Sequence, residues 1–376
     1  MPIYKMDGKK DGKQQYRVRI NYVDQFGKPR QIDRVAYGST EAKDLERKLS
    51  EEIKKTPPAA RKTLKDLYDE YIEVCKSELR ETTWDKKRRT FEHTIIPLVG
   101  DIKLDKFNVV AAQKYKSDIL ALGLSPATSS TYLKVLSTMI NYAVRMEYIP
   151  KNPIRQIGGY KTPEFTVPEK KVRYYTSDEF LRYIAVAKQR AEASGNLDEW
   201  GYYIFFMLAF YTGMRKGEIH ALQWSDIDGN VLKVRRSISQ KIKGKKETEL
   251  LVKTLSSVRD IQMPQPLVAA LKDHRKRQQV MTGFNDNWLV CRGVGCLRDS
   301  TIEKRNQAFA EAAELPHRAI HEFRHSHASL LANSGINIQE VARRLGHKNV
   351  TITWNTYSHL YPREEEHALE ILNKIV

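Results

Sequence analysis

Tyr357 stands downstream of Leu345-Gly346-His347 and of His321-Glu322-Phe323-Arg324-His325. A separate arginine, Arg215, lies earlier in Thr212-Gly213-Met214-Arg215-Lys216-Gly217-Glu218-Ile219. Guanidinium forks match phosphate oxygens with two parallel hydrogen bonds. Imidazoles move protons near neutral pH. A phenol becomes a covalent nucleophile once something takes its proton. Together these residue types form a set able to attack a phosphodiester.

Spacing strengthens the reading. His321, Arg324 and His325 fall at i, i+3 and i+4, so one helix face presents two imidazoles and a guanidinium, beside apolar Ile320, Phe323 and Leu330. Glu218 follows Arg215 by three residues, close enough on a helix to hold its guanidinium. Taken singly, each residue has an ordinary explanation: a helical arginine is usually a surface or salt-bridged group, and a buried histidine usually a satisfied one. Gly213 allows close backbone approach just before Arg215, which is expected within a helical stretch.

His321-Glu322-x-x-His325 also spells the His-Glu-x-x-His motif of zinc proteases. That alternative needs a third ligand, for which Glu340 and His347 are the nearest candidates, and no Gly-x-x-His continuation follows. It leaves Arg215 without a purpose and puts Arg324 beside a dication.

The elements that must carry these groups follow from composition and pattern. Lys and Arg outnumber Asp and Glu 64 to 46, a net charge of +18, and 41% of residues are hydrophobic. A chain of 376 residues with this balance reads as a multidomain globular protein. The excess positive charge is spread along the chain, as expected of a protein that wraps a polyanion. No strongly basic amphipathic anchor suggests a membrane, and the apolar run Tyr202–Tyr211 is too short for a span. Met1-Pro2-Ile3-Tyr4-Lys5 has no apolar leader core. Cys75, Cys291 and Cys296 are too scattered for a disulfide framework or a structural zinc site. Reduced thiols in the cytoplasm are expected.

Alternation of Tyr16, Val18, Ile20 and Tyr22 against Arg17, Arg19 and Asn21 predicts a strand, with Arg30–Val35 returning after a turn. A helix then starts at Ser39-Thr40. Pro57-Pro58 marks a linker. Thr63-Leu64-Lys65-Asp66 resembles a capping box that opens a helix. A second helix is expected over Thr83–Thr94, carrying Lys86, Lys87, Arg88 and Arg89. A third follows Asn108 and a fourth opens at Ser125-Pro126. A further linker spans Gly158–Lys171. Beyond it, helices are expected from Thr176, through the aromatic run Trp200–Trp224, and from Pro266, Ser300, Ala319 and Asn337. Val231–Ser239 and Leu250–Ile261 read as strands joined by the basic Lys241–Lys246 turn. The fold class is multidomain α+β: a small N-terminal sheet of three strands with one helix, a four-helix unit, and a mainly α unit with a β-hairpin.

The Arg215 box, His321-x-x-Arg324-His325, Leu345-Gly346-His347 and Thr356-Tyr357-Ser358-His359 resemble the signature of the tyrosine recombinases, the phage lambda integrase family. Val252-Lys253-Thr254-Leu255-Ser256-Ser257-Val258-Arg259 resembles that family's catalytic hairpin. The resemblance covers residues 173–376 as the catalytic domain and 63–157 as the core-site-binding domain. It also covers 1–56 as an arm-site-binding domain like those of phage and conjugative-transposon integrases, with linkers at 57–62 and 158–172. Phe323 stands where the family often has an aliphatic residue.

The resemblance implies a site-specific recombinase that integrates or excises a mobile element. Its catalytic residues would be Arg215, Lys253, His321, Arg324, His347 and the nucleophile Tyr357, with Glu218 and His325 accessory. His321 is the expected acceptor of the phenol proton and Lys253 the expected donor to the leaving 5′-oxygen. Arg17, Arg19, Lys86, Lys87, Arg88 and Arg89 are candidate DNA contacts. Partners implied are double-stranded DNA at core and arm sites, a homotetramer on that DNA, and possible excisionase and host DNA-bending proteins. No cofactor or metal is implied, and the place of action would be the bacterial cytoplasm, at the nucleoid when DNA-bound. A type-IB-like topoisomerase shares the chemistry but has no use for an arm-binding unit. Tyr361 is a rival nucleophile. The apolar residues of Glu364–Val376 suggest a last helix that docks in cis or on a neighbouring protomer.

Overall fold

The computed structural model describes residues 3–10, 12–23, 29–55, 62–160, 172–240, 248–251, 258–361, 369 and 372–373. The chain forms two compact units, Met1–Thr166 and Val167–Val376.

The first unit opens with an antiparallel sheet of β1 (Ile3–Lys10), β2 (Lys13–Val23) and β3 (Pro29–Tyr37) in sequential order. Helix α1 (Ser39–Lys55) follows. The alternation in β2 sends buried Val18, with Tyr16 and Ile20, into a small core shared with Ala36, Ala42, Leu45 and Leu49. Arg17 and Arg19 consequently lie on the opposite face. Arg19 forks onto Asp33, its register partner, with Nε to Oδ1 at 2.9 Å and Nη2 to Oδ2 at 3.0 Å.

A larger core belongs to the helical part: α2 (Leu64–Glu78), α3 (Glu81–Thr90), α4 (Ile96–Val99), α5 (Val109–Ala121), α6 (Pro126–Arg145) and α7 (Ile154–Ile157). Thr63 and Asp66 form the expected capping box at the start of α2. Asn108 and Ser125 cap α5 and α6 by accepting from backbone amides. A π-helical turn, Phe91–Ile95, joins α3 to α4. Pro97, in the first turn of α4, has no amide to donate into a regular ladder there. Leu64, Leu67, Tyr71, Phe91, Ile95, Tyr115, Ile119, Leu136 and Ile140 are buried together.

In the second unit α8 (Ser177–Ser194) opens on a capping box of Thr176 and Glu179, and α9 (Leu197–Thr212) is buried on nearly every side. The run Trp200–Trp224 is not one helix. Gly213 takes φ +62° and ends α9, and the short α10 (Lys216–His220) starts afresh with Arg215 as its N-cap in extended conformation. Arg215 thus sits at a helix start rather than within a helix. The two long strands are also divided. β5 (Val231–Val234) pairs with β4 (Ile227–Asp228) and β8 (Arg259–Gln262), whereas β6 (Arg236–Ser239) pairs with β7 (Thr248–Leu251). The break falls at Arg235, whose Nη1 donates to the carbonyls of Val234 and Arg259. Lys241–Lys246 and Lys253 lie outside the described residues.

Helices α11 (Gln265–Gln279), α12 (Asp299–Ala312), α13 (Ile320–Asn333), α14 (Ile338–Leu345) and α15 (Val350–Tyr357) complete the unit. Phe323, fully buried, anchors α13 against Tyr175, Tyr183 and Phe206 at ring-centroid distances of 5.5, 5.2 and 5.1 Å. Burying such a ring is worth roughly 1.5–3 kcal/mol, which fixes the rotation of the helix that carries His321, Arg324 and His325. The last expected helix lies largely outside the described residues.

Candidate active site

The site gathers around the C-terminal end of α14. There Gly346 adopts φ +66°, which ends the helix and turns His347 back toward α13. Arg324, buried on α13, donates from Nη1 to the Gly213 carbonyl and from Nη2 to the Leu345 carbonyl, both at 2.6 Å. Its Nη2 also lies 3.0 Å from His347 Nε2. Close approach of the α9–α10 turn requires glycine at 213, since a Cβ there would lie 2.7 Å from His327 Cδ2.

Glu218 performs two tasks. Its Oε2 accepts from the Arg215 amide at 2.9 Å, capping α10, and its Oε1 accepts from Arg215 Nη1 at 2.8 Å. Burial works against the charged carboxylate, but Arg259 and Arg215 outweigh it and hold its pKa below the ordinary range. Arg215 Nη2 reaches the Gly346 carbonyl at 3.4 Å. Arg215 and Arg324 therefore meet at the same helix end, from two separate segments.

This clustering of positive charge shifts the neighbouring groups. Burial and then Arg215 push the Arg324 pKa down to about 9, still protonated at neutral pH. Burial, with Arg324 and Arg215 beside it, pushes His347 down to about 4. His347 is then neutral at pH 7, and its tautomer follows from its partners. Arginine only donates, so Nε2 accepts and the proton sits on Nδ1, which donates to Thr353 Oγ1 at 2.8 Å. Desolvation, Arg324 and Arg215 also lower the pKa of His321. Three guanidiniums, those of Arg215, Arg259 and Arg324, thus share the single carboxylate of Glu218, so positive charge is in excess here.

Tyr357 ends α15 with 2% of its surface exposed. Burial raises its phenol pKa to about 12, against the pull of Arg324. The phenol oxygen lies 2.6 Å from Nδ1 of His325. His321 is one turn away, its ring 5.0 Å from that of His325. The imidazole in contact with the phenol is thus His325, the group expected to be accessory. The Tyr361 hydroxyl is buried with no hydrogen-bond partner among the described residues.

Among the described residues, no group of three or more His, Cys, Asp and Glu could hold a metal ion. Glu322 of the His-Glu-x-x-His run caps α13 by accepting from the Ala319 amide at 2.8 Å.

Sequence comparisons decide the family. The Phage integrase family model matches residues 174–364, half of the chain, and the N-terminal SAM-like domain of phage integrases matches 63–120. The "Tyrosine recombinase XerC-like" protein of Caldanaerobacter subterraneus subsp. tengcongensis is 30% identical over 97% of both chains. The chain belongs to the phage integrase family of tyrosine recombinases. Enzymes of this family break and rejoin DNA strands.

The fold of the recombinase is shared with two solved integrases. That of the Tn1549 transposon, in complex with transposon right end DNA, is 19% identical with a TM-score of 0.62, covering 84% of this chain and all of that one. A lambda integrase tetramer bound to a Holliday junction is 18% identical with a TM-score of 0.56 and 97% coverage of both chains.

The recombinase's candidate DNA contacts differ in their surroundings. Arg17 and Lys86 are exposed and make no side-chain ion pair with another described residue. Arg88 is ion-paired to Asp85 and Glu92, Arg89 to Asp85, and Lys87 donates to the Tyr71 hydroxyl at 2.6 Å. Two residues of the site were missed in the sequence. Thr353 carries no signal beyond its place one turn before Tyr357, and Arg259 was noted only as part of the hairpin motif.

Proposed function

We propose that this recombinase integrates and excises a mobile DNA element through a covalent 3′-phosphotyrosyl intermediate. The observation that carries this is the buried Tyr357 phenol held on an imidazole beside the paired Arg215 and Arg324 guanidiniums. The scissile phosphate sits between those guanidiniums, and His347 orients one of them by accepting from Arg324 Nη2. As the Tyr357 oxygen forms its bond to phosphorus, the phenol proton passes to Nδ1 of His325. The bond to the 5′-oxygen breaks, and Lys253 supplies the proton that oxygen needs. Arg215 and Arg324 stabilise the charge that builds on the non-bridging oxygens. A 5′-hydroxyl from another strand then attacks the phosphotyrosine and releases the phenol, so no external energy source is consumed. His321, whose pKa burial, Arg324 and Arg215 lower, is assigned to the phosphate side.

The test is a suicide substrate: a core-site duplex nicked near the scissile bond, incubated with the protein in EDTA and run on a denaturing gel. A detergent-stable adduct supports the reading, and cleavage only after added divalent metal overturns it. The proton assignment has its own check. His325→Gln is expected to slow cleavage about 10²-fold and His321→Gln to act mainly through phosphate affinity; the reverse pattern would return the proton to His321.

We further assign residues 1–56 to arm-site DNA, 63–157 to one side of the core site and 173–376 to catalysis, in a tetramer that acts in the bacterial cytoplasm. Among the described residues no helix is long and apolar enough to cross a membrane. Exposed Arg17, Lys86 and Arg89, with half-buried Arg19, Lys87 and Arg88, are assigned to DNA contacts. Excision with an excisionase and a host DNA-bending protein fits the bivalent design, in which one protein bridges separated sites. Removing residues 1–60 is expected to abolish arm-site footprints while core-site cleavage stays within about threefold, because the two sites engage independent surfaces. Footprints unchanged by the deletion would refute the division.

A further inference from the structure

Three arginines from three elements converge on three successive carbonyls. Arg259 Nε donates to the Arg344 carbonyl at 2.7 Å, Arg324 Nη2 to Leu345 at 2.6 Å and Arg215 Nη2 to Gly346 at 3.4 Å. The last carbonyls of a helix have no intrahelical donors and form the negative end of its dipole. The end of α14 is therefore a receptor for guanidinium groups, and it sets where each one lies.

Arg215 and Arg324 are the proposed phosphate ligands. Arg259 differs from them. It is buried at the start of β8, and its Nη2 donates to Glu218 Oε2 at 2.8 Å. That carboxylate is the one whose Oε1 holds Arg215. The same guanidinium lies against Gly346, where a Cβ would come within 3.0 Å of Arg259 Nη1 and 3.3 Å of Cζ. Arg259 thus joins the group that aims Arg215 to the residues that carry Arg324's acceptor and His347. The direct Arg215–Gly346 contact is the longest of the three and too weak to fix that separation by itself.

We propose that Arg259 is a positioning residue of the phosphate clamp: by bridging Glu218 to the end of α14, it sets the spacing of Arg215 from Arg324 and His347. Among the described residues it touches none of the groups assigned to bond making or breaking. Its effect on the reaction passes through Glu218, whose negative charge it also helps to maintain in a buried position. The proposal rests on the reading of Arg215 and Arg324 as ligands of the scissile phosphate.

The test uses the full chain as wild type, Arg259→Lys, Glu218→Gln and the double variant in single-turnover cleavage of nicked core sites. Each is run on a phosphodiester and on a methylphosphonate, in which a methyl group replaces one charged non-bridging oxygen. Lysine keeps the charge but cannot reach the Arg344 carbonyl and Glu218 with a planar fork. Arg259→Lys is expected to cleave the phosphodiester about 10- to 100-fold more slowly, with core-site affinity within about threefold. On the methylphosphonate, where the arginines have less charge to meet, its deficit relative to wild type should fall below about threefold. The double variant should be no slower than Glu218→Gln alone, because both changes cut one connection.

Equal deficits on both substrates would overturn the proposal in favour of a general structural role, and so would additive losses in the double variant. If Arg259→Lys lacks the near-ultraviolet circular dichroism of the folded protein, Arg259→Gln, which keeps a donor for the Arg344 carbonyl, is judged by the same criteria. Absence of an adduct in the wild type itself would strike the underlying site reading, and is distinguishable because it appears without any substitution.

Discussion

Tyr357→Phe is expected to abolish the detergent-stable protein–DNA adduct and to leave core-site affinity within about twofold. The substitution removes a single oxygen from a ring that is 2% exposed, so the phenylalanine fits the same cavity. What it loses is the bond to His325 Nδ1, 2.6 Å away, and the only atom of that side chain able to form a bond to phosphorus. Deleting a covalent nucleophile from an otherwise intact site costs on the order of 10⁴-fold or more in rate. The phenol is pushed up to about 12 by burial, so it is protonated at neutral pH and needs a base at the moment of attack. Tyr361→Phe serves as the control and should form the adduct at the wild-type rate. An adduct that persists in Tyr357→Phe and vanishes in Tyr361→Phe would transfer the role to Tyr361.

Arg324→Lys is expected to slow cleavage by about 10²- to 10³-fold, the usual cost of losing one oriented donor at a developing charge. The physical reason lies in its fixed surroundings. The guanidinium donates to the Gly213 and Leu345 carbonyls, both at 2.6 Å, and lies 3.0 Å from His347 Nε2. These contacts hold the fork in one plane and join α9, α13 and α14 at the site. Lysine keeps the charge and loses the fork, so it cannot satisfy both carbonyls and still face a phosphate. The measurement is the single-turnover cleavage rate at saturating protein, with core-site affinity read separately by gel shift. Because the position is buried, intrinsic tryptophan fluorescence should first establish that the variant folds. A folded variant that cleaves within about threefold of wild type would remove Arg324 from the clamp.

Much of this was open to reading along the chain because its causes are local. The capping box expected at Thr63 and the helix start expected at Thr176 both appear, each where Thr is followed by Asp or Glu three residues later. The alternation around Val18 sorts the first sheet into a covered face and an arginine-bearing face. Glu218 lies where one turn of helix carries it back to Arg215. In each case a few consecutive residues contain both partners of the interaction.

Other outcomes depended on partners far apart in the chain. Gly213 ends α9 just before Arg215, expected within a helical stretch, because the backbone must pass against His327 and Leu345. The strands after Val231 divide at Arg235 because the chain passes from one sheet to another there. Half of the basic run Lys86–Arg89 is drawn into pairs with Asp85 and Glu92, which a count of charges could not foresee.

Residue types and short-range spacing alone supplied the chemical inventory, the family and the helix that carries His321, Arg324 and His325, but neither the helix that ends on Tyr357 nor the place of Arg215 at a helix start. Only the tertiary structure decided that His325 rather than His321 meets the phenol, that His347 leans on Thr353, and that Arg259 joins Glu218 to the end of α14. Those choices are set by how α10, β8, α13, α14 and α15 pack in three dimensions. His321 and His325 lie about 40° apart around α13 and about 6 Å apart along it, so a small change in how that helix packs would exchange one histidine for the other without changing any motif.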